Sequence, residues 1–342
     1  MDKIRLGKAD FVVAGGFDDL SIEGITGFGD MAATAPSAEL EGKGIDERYF
    51  SRANDRRRAG FIESAGGGTI LLTRGSIAVL GVVGFAESFA DGAHTSIPAP
   101  GLGALGAAQG GEVSRLAKAL YALGVNADEV SVISKHDTST TANDPNESDL
   151  HERLATAMGR GEGNPLVSQK SLTGHAKGGA AAFQIIGLTQ VLRSGLLPAN
   201  RSLDCVDPVL NKHQRLVWLR KPLDLGAAGE GFAPKAGIVT SLGFGHVSAL
   251  VAIVHPAAFV EAVREERGAT GVAEWEDAAT TREDAGLRRI LDAMHGGAAL
   301  YERPVDRNLG GTGDAAKERE AAALLDSGAR LVDGVLRVTG EF

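Results

Sequence analysis

The feature that most constrains this chain is the run AKGGAAAFQIIGLTQVLR at residues 176–193, apolar on nearly every side of a helix and opening with small residues only. A surface helix keeps one polar face, and a helix without one has to be covered all round. Gly178, Gly179, Ala180, Ala181 and Ala182 allow neighbouring backbone to approach closely. The run therefore predicts a helix buried within the core, and the rest of the chain must supply the elements that cover it.

Those elements are strands alternating with helices. Residues 130–133 and 166–168 read as short apolar strands, each followed by polar turn residues, and 235–241 and 247–254 as two more, separated by the tight turn LGFGH. Upstream, 9–14, 68–73 and 77–85 read as strands, the last two joined by a turn at 74–76. Residues 111–123 carry Val113, Leu116, Ala117 and Leu120 at helical spacing. The pattern is α/β, and 342 residues allow one large unit or two domains. The opening MDKIRLG reads as the last turns of a helix closed by Gly7, its start missing. Beyond Pro256 the chain turns charged, with helical patterns at 283–294 and 315–331 around the break NLGGTG, and reads as a helical extension or linker without chemistry.

Composition excludes several classes. A net charge of -9 without a basic stripe argues against non-specific nucleic-acid binding. One cysteine, Cys205, excludes an intrachain disulfide framework and, with no basic-then-apolar leader, points to the cytoplasm. Gly, polar or charged residues break every long apolar stretch, so no membrane span is predicted. No His or Cys cluster has zinc spacing, so no metal is expected. GLGALG at 101–106 fits a dinucleotide fingerprint but follows a Pro-containing loop rather than a strand, and reads as a flexible turn. Cys205 lies in a polar loop with no adjacent base and reads as structural. The charges of the arginine-rich loop at 49–68 either are solvated or serve the fold, and the sequence leaves both open.

Functional groups in open α/β sheets gather beyond the carboxyl ends of strands. His136 follows the strand at 130–133, Lys170 follows 166–168, and Phe244 lies in the turn after 238–240. His175 is expected in the first turn of the buried helix, with Thr173 as its N-cap. A helix N-terminus and a nearby ammonium both disfavour a second positive charge, so His175 should be neutral. Two neutral imidazoles donating to one point would stabilise an enolate or thioester oxyanion. A buried Lys170 needs a carboxylate, and Glu147 is the nearest by pattern, which predicts a Lys170–Glu147 ion pair. His94, His151, His213, His255 and His295 read as surface or satisfied core residues.

With these residues in place, HDTSTTANDPNE and KSLTGHAKGG resemble the β-ketoacyl synthases of the thiolase superfamily, and most of all the type I fatty acid synthases of fungal and actinobacterial type. The resemblance runs from about residue 1 to 256. It implies a thiolase-like layered α-β-α-β-α fold, with 1–100 a remnant of a truncated N-terminal half, 101–256 the complete C-terminal half, and 257–342 the extension. It puts the catalytic histidines at His136 and His175, the catalytic lysine at Lys170 and its glutamate at Glu147. Pantetheine contacts fall on Thr138 and Thr140, and the gate that completes an oxyanion hole on Gly243, Phe244 and Gly245, with His246 where many relatives have glycine. The implied reaction is decarboxylation of malonyl carried on acyl carrier protein, followed by attack of the enolate on an acyl thioester. Phosphopantetheine then arrives on the acyl carrier protein, no cofactor is bound directly, and other synthase domains and a homo-oligomeric parent are the expected partners. The nucleophilic cysteine would start the helix before the strand at 9–14, which makes Met1 read as a truncation point and the isolated chain inactive in condensation. A non-catalytic segment of a megasynthase is the main alternative; a thiolase-type acyltransferase is disfavoured because no cysteine accompanies the GFGH turn.

Overall fold

The computed structural model describes residues 1–9, 11–73, 79–90, 102–226, 234–243, 247–295, 329–332 and 335–338. The chain divides into two compact units, Met1–Thr280 and Thr281–Phe342. In chain order the first unit contains α1 (Asp2–Arg5), β1 (Phe11–Asp18), α2 (Ile22–Asp30), α3 (Ser37–Gly42), β2 (Gly66–Thr73), β3 (Val82–Ala90), α4 (Leu102–Ala108) and α5 (Arg115–Tyr121). Then follow β4 (Val130–Ser134), α6 (Asn143–Ala157), β5 (Asn164–Val167), α7 (Lys170–Thr173), α8 (Ala180–Ser194), β6 (Leu196–Leu197), β7 (Leu216–Trp218), β8 (Leu223–Asp224), β9 (Ala236–Gly243) and β10 (Val247–Val254). The helix α9 (Pro256–Met294) starts in this unit and is broken at Gly268, where φ is 69°. In the second unit β11 (Ala329–Val332) and β12 (Val335–Val338) pair antiparallel.

The central sheet has six strands in the order β3-β10-β9-β4-β5-β7. Pairings among β9, β4, β5 and β7 are parallel, and β10 runs antiparallel to both β9 and β3. Parallel pairing leaves β4 and β5 ending side by side, Ser134 opposite Val167, so the segments that start at Lys135 and Ser168 emerge together. That adjacency builds the site.

Helices cover both faces of the sheet. On one face Leu116 and Leu120 of α5 and Leu150 and Leu154 of α6 share a core with Ile133, Leu166, Ile238 and Leu250. On the other, Leu188, Val191 and Leu192 of α8 pack on Val132, Val167, Val239 and Ile253. Truncating one such fully buried leucine costs about 2–5 kcal/mol. The β1–β2 ladder lies against α8 and the single 3-10 turn Lys177–Gly179 before it, giving an α-β-α-β order of layers.

The close approach expected of the small residues is real. A Cβ on Gly179 would lie 2.2 Å from the Gly66 carbonyl oxygen, and one on Gly16 would lie 2.1 Å from that of Gly178. The outer face of β1 leaves Phe11, Val13 and Phe17 exposed. The extension begins by packing on the core, with Ala258 and Val272 buried and the Phe259 and Trp275 rings 6.0 Å apart. Among the described residues no helix is long and apolar enough to cross a membrane.

Several local expectations change. The strands near 68–73 and 77–85 do not pair with each other: β2 pairs with β1, and β3 with β10. Alternation alone carries no information about partners. The turn at 74–76 lies outside the described residues. GLGALG is not a turn, because Leu102–Ala108 form a helix whose Ala104, Leu105, Ala107 and Ala108 are buried. The helix expected to be covered all round starts at Ala180, later than the apolar run, and is only partly covered: Ile186 and Gln190 are exposed, because the β1–β2 ladder spans only part of its outer face. Of the helix expected at 315–331, residues 329–331 are in β11, and the rest lie outside the described residues.

Gly179→Ala should therefore overpack the junction of α8 with the β1–β2 ladder. The expected loss is about 1–3 kcal/mol, measured as a lowered urea midpoint with an unchanged m-value.

Candidate functional site

His136 and Lys170 come from the two neighbouring strand ends, and His175 from the segment between α7 and α8. All three side chains are buried. His175 is not in the first turn of the buried helix. Thr173 closes α7 and donates its hydroxyl to the Gln169 carbonyl, so it does not cap α8. Gly174, at φ 72°, reverses the chain, a conformation that glycine adopts without strain. His175 then lies alongside residues 62–64, donating its N–H to the Ile62 carbonyl at 2.7 Å and accepting from Ser64 at 3.3 Å.

The two imidazoles stand edge to face, ring centroids 5.3 Å apart and planes at 89°. Phe61 packs edge-on against His175 at 4.9 Å. Neutrality, expected from a helix terminus, arises mainly from burial. Burial and then Lys170 pull His136 down to about 3, with Glu147 opposing. Burial, followed by Lys170, His136 and Lys177, drives His175 far below its ordinary value.

The tautomers follow from the partners. Lys170 Nζ lies 3.1 Å from His136 Nδ1 and also donates to the His136 carbonyl. An ammonium has no acceptor, so Nδ1 accepts and the ring proton of His136 sits on Nε2. His175 Nδ1 accepts the Lys177 backbone N–H at 3.2 Å, which puts its proton on Nε2 too. Burial lowers Lys170 to about 8 against the pull of Glu147, Asp137 and Asp144, so the ammonium prevails at neutral pH.

The expected Lys170–Glu147 ion pair does not form. Glu147 faces away to chelate the backbone: it accepts the N–H of His136 at 2.5 Å and of Asp137 at 2.8 Å, and the Thr240 hydroxyl at 2.7 Å. Two convergent N–H groups satisfy a carboxylate better than one distant ammonium. Burial raises its pKa, but His151, Lys135 and His136 outweigh that and keep it ionised. The buried lysine that does pair with a carboxylate is Lys135, 2.6 Å from Asp137. Burial opposes its charge, yet Asp137, Glu147 and Asp144 hold the ammonium above its ordinary range.

Thr138 and Thr140 share a hydrogen bond of 3.0 Å, and Thr140 also caps the N–H of Asn143. Gly243 ends β9 opposite Val247; Phe244 and Gly245 lie outside the described residues. The arginine-rich loop serves the fold. Arg52, Asn54, Asp55 and Arg58 are buried, Arg58 lies 3.3 Å from Asp144 and also pairs with Asp207, and Asn54 donates to Asp137 at 2.9 Å. His151 is a buried core residue whose Nε2 meets Thr240 at 2.8 Å. Cys205 is exposed, and its backbone N–H caps Asp55.

Sequence reasoning assigned no role to Lys135, Asp137, Asn54, Thr240 or Phe61. Only the first two left a signal, opposite charges flanking His136 at a strand end; the others join the site from distant segments.

The fold is that of ketosynthases. It superposes on the noncanonical ketosynthase FabY from P. aeruginosa with a TM-score of 0.71 at 24% identity, covering 87% of this chain and 47% of that one. A β-ketoacyl synthase from Burkholderia phymatum gives 0.59 at 21%, covering 74% and 57%. In sequence, residues 80–204 match the family described as Beta-ketoacyl synthase, C-terminal domain. The chain is 36% identical over 262 residues to Fatty acid synthase 2 of Mycosarcoma maydis, covering 74% of this chain, and 36% over 277 residues to Fatty acid synthase alpha subunit stcJ of Emericella nidulans, covering 78%. It spans only 7% and 17% of those proteins. This chain thus carries a β-ketoacyl synthase C-terminal domain and is homologous to fatty acid synthase alpha subunits.

Histidines that are neutral when folded must gain protons on unfolding at low pH. Their folded pKa values lie below the unfolded value of about 6.5, so their stabilisation is full above that pH and is lost as pH falls toward about 3 for His136. Stability should fall by about 1.4 kcal/mol per pH unit per histidine in that window. His175→Asn should flatten the slope by one proton in urea titrations at pH 4–6.

Proposed function

We propose that this chain supplies the decarboxylation half of a β-ketoacyl-[acyl carrier protein] synthase site, the condensing activity of a type I fatty acid synthase. The observation that carries the reading is the pair of neutral imidazoles, each with Nδ1 occupied by a donor and its Nε2–H without a hydrogen-bond partner among the described residues. When the bond between the malonyl methylene and its carboxylate breaks, CO2 leaves and the electron pair passes into the thioester carbonyl. His136 and His175 donate Nε2–H to the resulting enolate oxygen, and being neutral they surrender no proton to it. The enolate carbon then attacks the carbonyl of an acyl thioester and expels its thiolate. Lys170 fixes the His136 tautomer and adds positive charge near the developing anion.

In this reading phosphopantetheine on an acyl carrier protein brings malonyl along Thr138 and Thr140, and the Gly243–Phe244–Gly245 turn gates the entrance and adds a backbone donor. Other synthase domains and further copies of the parent are its partners, and the protein works in the cytoplasm. Cys205 is the chain's one thiol, and its exposure, in contrast to the buried histidines, does not fit an acyl carrier. The acyl-accepting cysteine therefore belongs to a segment other than residues 1–342.

In the enzyme that contains these residues, His136→Ala and His175→Ala should each slow malonyl-thioester decarboxylation by about 10²–10³-fold, read as CO2 release; wild-type rates in both would overturn the reading. The chain by itself should yield no β-ketoacyl product from acyl and malonyl thioesters, and condensed product detected by mass spectrometry would contradict that assignment.

A further inference from the structure

His136 lies between two buried residues of opposite charge, Lys135 and Asp137, whose side chains pair with each other. Asp137 has φ 42° and Ser139 φ 61°, two non-glycine residues in the left-handed region within three positions. Such a backbone persists only where its surroundings over-determine it. Here they do. Asp137 Oδ1 is 2.6 Å from Lys135 Nζ, and Oδ2 accepts from Asn54 Nδ2 at 2.9 Å and from the Ser168 hydroxyl. Lys135 Nζ is itself held by Asn54 Oδ1 at 2.9 Å and Ser148 Oγ at 3.0 Å. One carboxylate thus ties together the end of β4, the residue after β5 and the buried loop that carries Asn54.

Glycine would take this backbone conformation without strain. A carboxylate is kept instead, at the cost of both strain and desolvation, and its immediate neighbour is the histidine whose carbonyl and ring both meet Lys170. We propose that Asp137 is a positioning residue: its anchored carboxylate holds the turn that presents the carbonyl oxygen and Nδ1 of His136 together to Lys170, and so fixes the proton on Nε2. The catalytic consequence rests on the ketosynthase reading above, whereas the geometric one does not.

Asp137 also acts on the charge of Lys170. The ammonium meets His136 at the end of β4 and lies near His175, while the fields of Glu147, Asp137 and Asp144 favour its charge against the larger effect of burial; burial and Asp137 raise Asp144 itself to about 7. Losing one of these carboxylates should let Lys170 deprotonate at lower pH.

Nitrogen-15 NMR of the histidine rings in the full chain reads both effects without turnover, so failure of the functional reading and failure of this one are distinguishable. In the wild-type chain His136 should show a single tautomer with unprotonated Nδ1, its resonance moving with a midpoint near 8 as Lys170 loses its proton. In Asp137→Asn the midpoint should fall by about one unit. The pair Lys135→Met with Asp137→Gly removes one buried charge of each sign and relieves the turn, so it is the variant expected to fold where the single one does not, checked by its urea midpoint. In it the two tautomers of His136 should exchange. A single Nε2–H tautomer retained in that double variant, or an unchanged midpoint in a folded Asp137→Asn chain, overturns the proposal.

Discussion

The grip of the Glu147 carboxylate on two successive backbone N–H groups, those of His136 and Asp137, is the constraint on which the site depends. It turns the chain where β4 ends, and from that turn His136 meets Lys170 and His175, which come from other segments. Thr240 on β9 and His151 on the same helix hold the carboxylate from behind, so one buried glutamate joins helix, two strands and loop. A lone buried carboxylate is costly, and one saturated with donors is a rigid anchor.

Around this anchor the site separates charge from neutrality. Lysines 135 and 170, aspartates 137 and 144, Glu147 and Arg58 are all buried, although they come from distant segments of the chain. Their charges are paired or hydrogen-bonded beneath the histidines, and the imidazoles themselves stay neutral. An enolate is stabilised by donors that are fixed and cannot relay a proton onto it, so a neutral pair within a charged surround suits the proposed chemistry. The same arrangement makes folding sensitive to acid, because protons taken up by these imidazoles on unfolding are excluded from the native state.

Much of the fold was legible in the sequence. The strands at 130–134, 236–243 and 247–254 and the buried helix follow from apolar runs and small residues whose meaning is local. Strand partners were not legible, since β2 and β3 are adjacent in sequence yet belong to different sheets. His136, Lys170 and His175 were singled out because turn and hydroxyl residues surround them at strand and helix ends, and the fold brings the three together. The Lys170–Glu147 pair was wrong for a physical reason: spacing reveals that a carboxylate is near, but not that two backbone donors compete for it and win.

The sequence by itself determined that this chain is an α/β protein, which residues are candidates for its chemistry, and the resemblance to β-ketoacyl synthases. Only the tertiary structure decided which polar group meets which. Arg52, Asn54 and Arg58 come from a loop whose charges looked equally fit for solvent, and they became interior when that loop crossed under the ends of β4 and β5. Hydrogen-bond partnership depends on distances of tenths of an ångström between segments about 80 to 110 residues apart, and no local pattern encodes it.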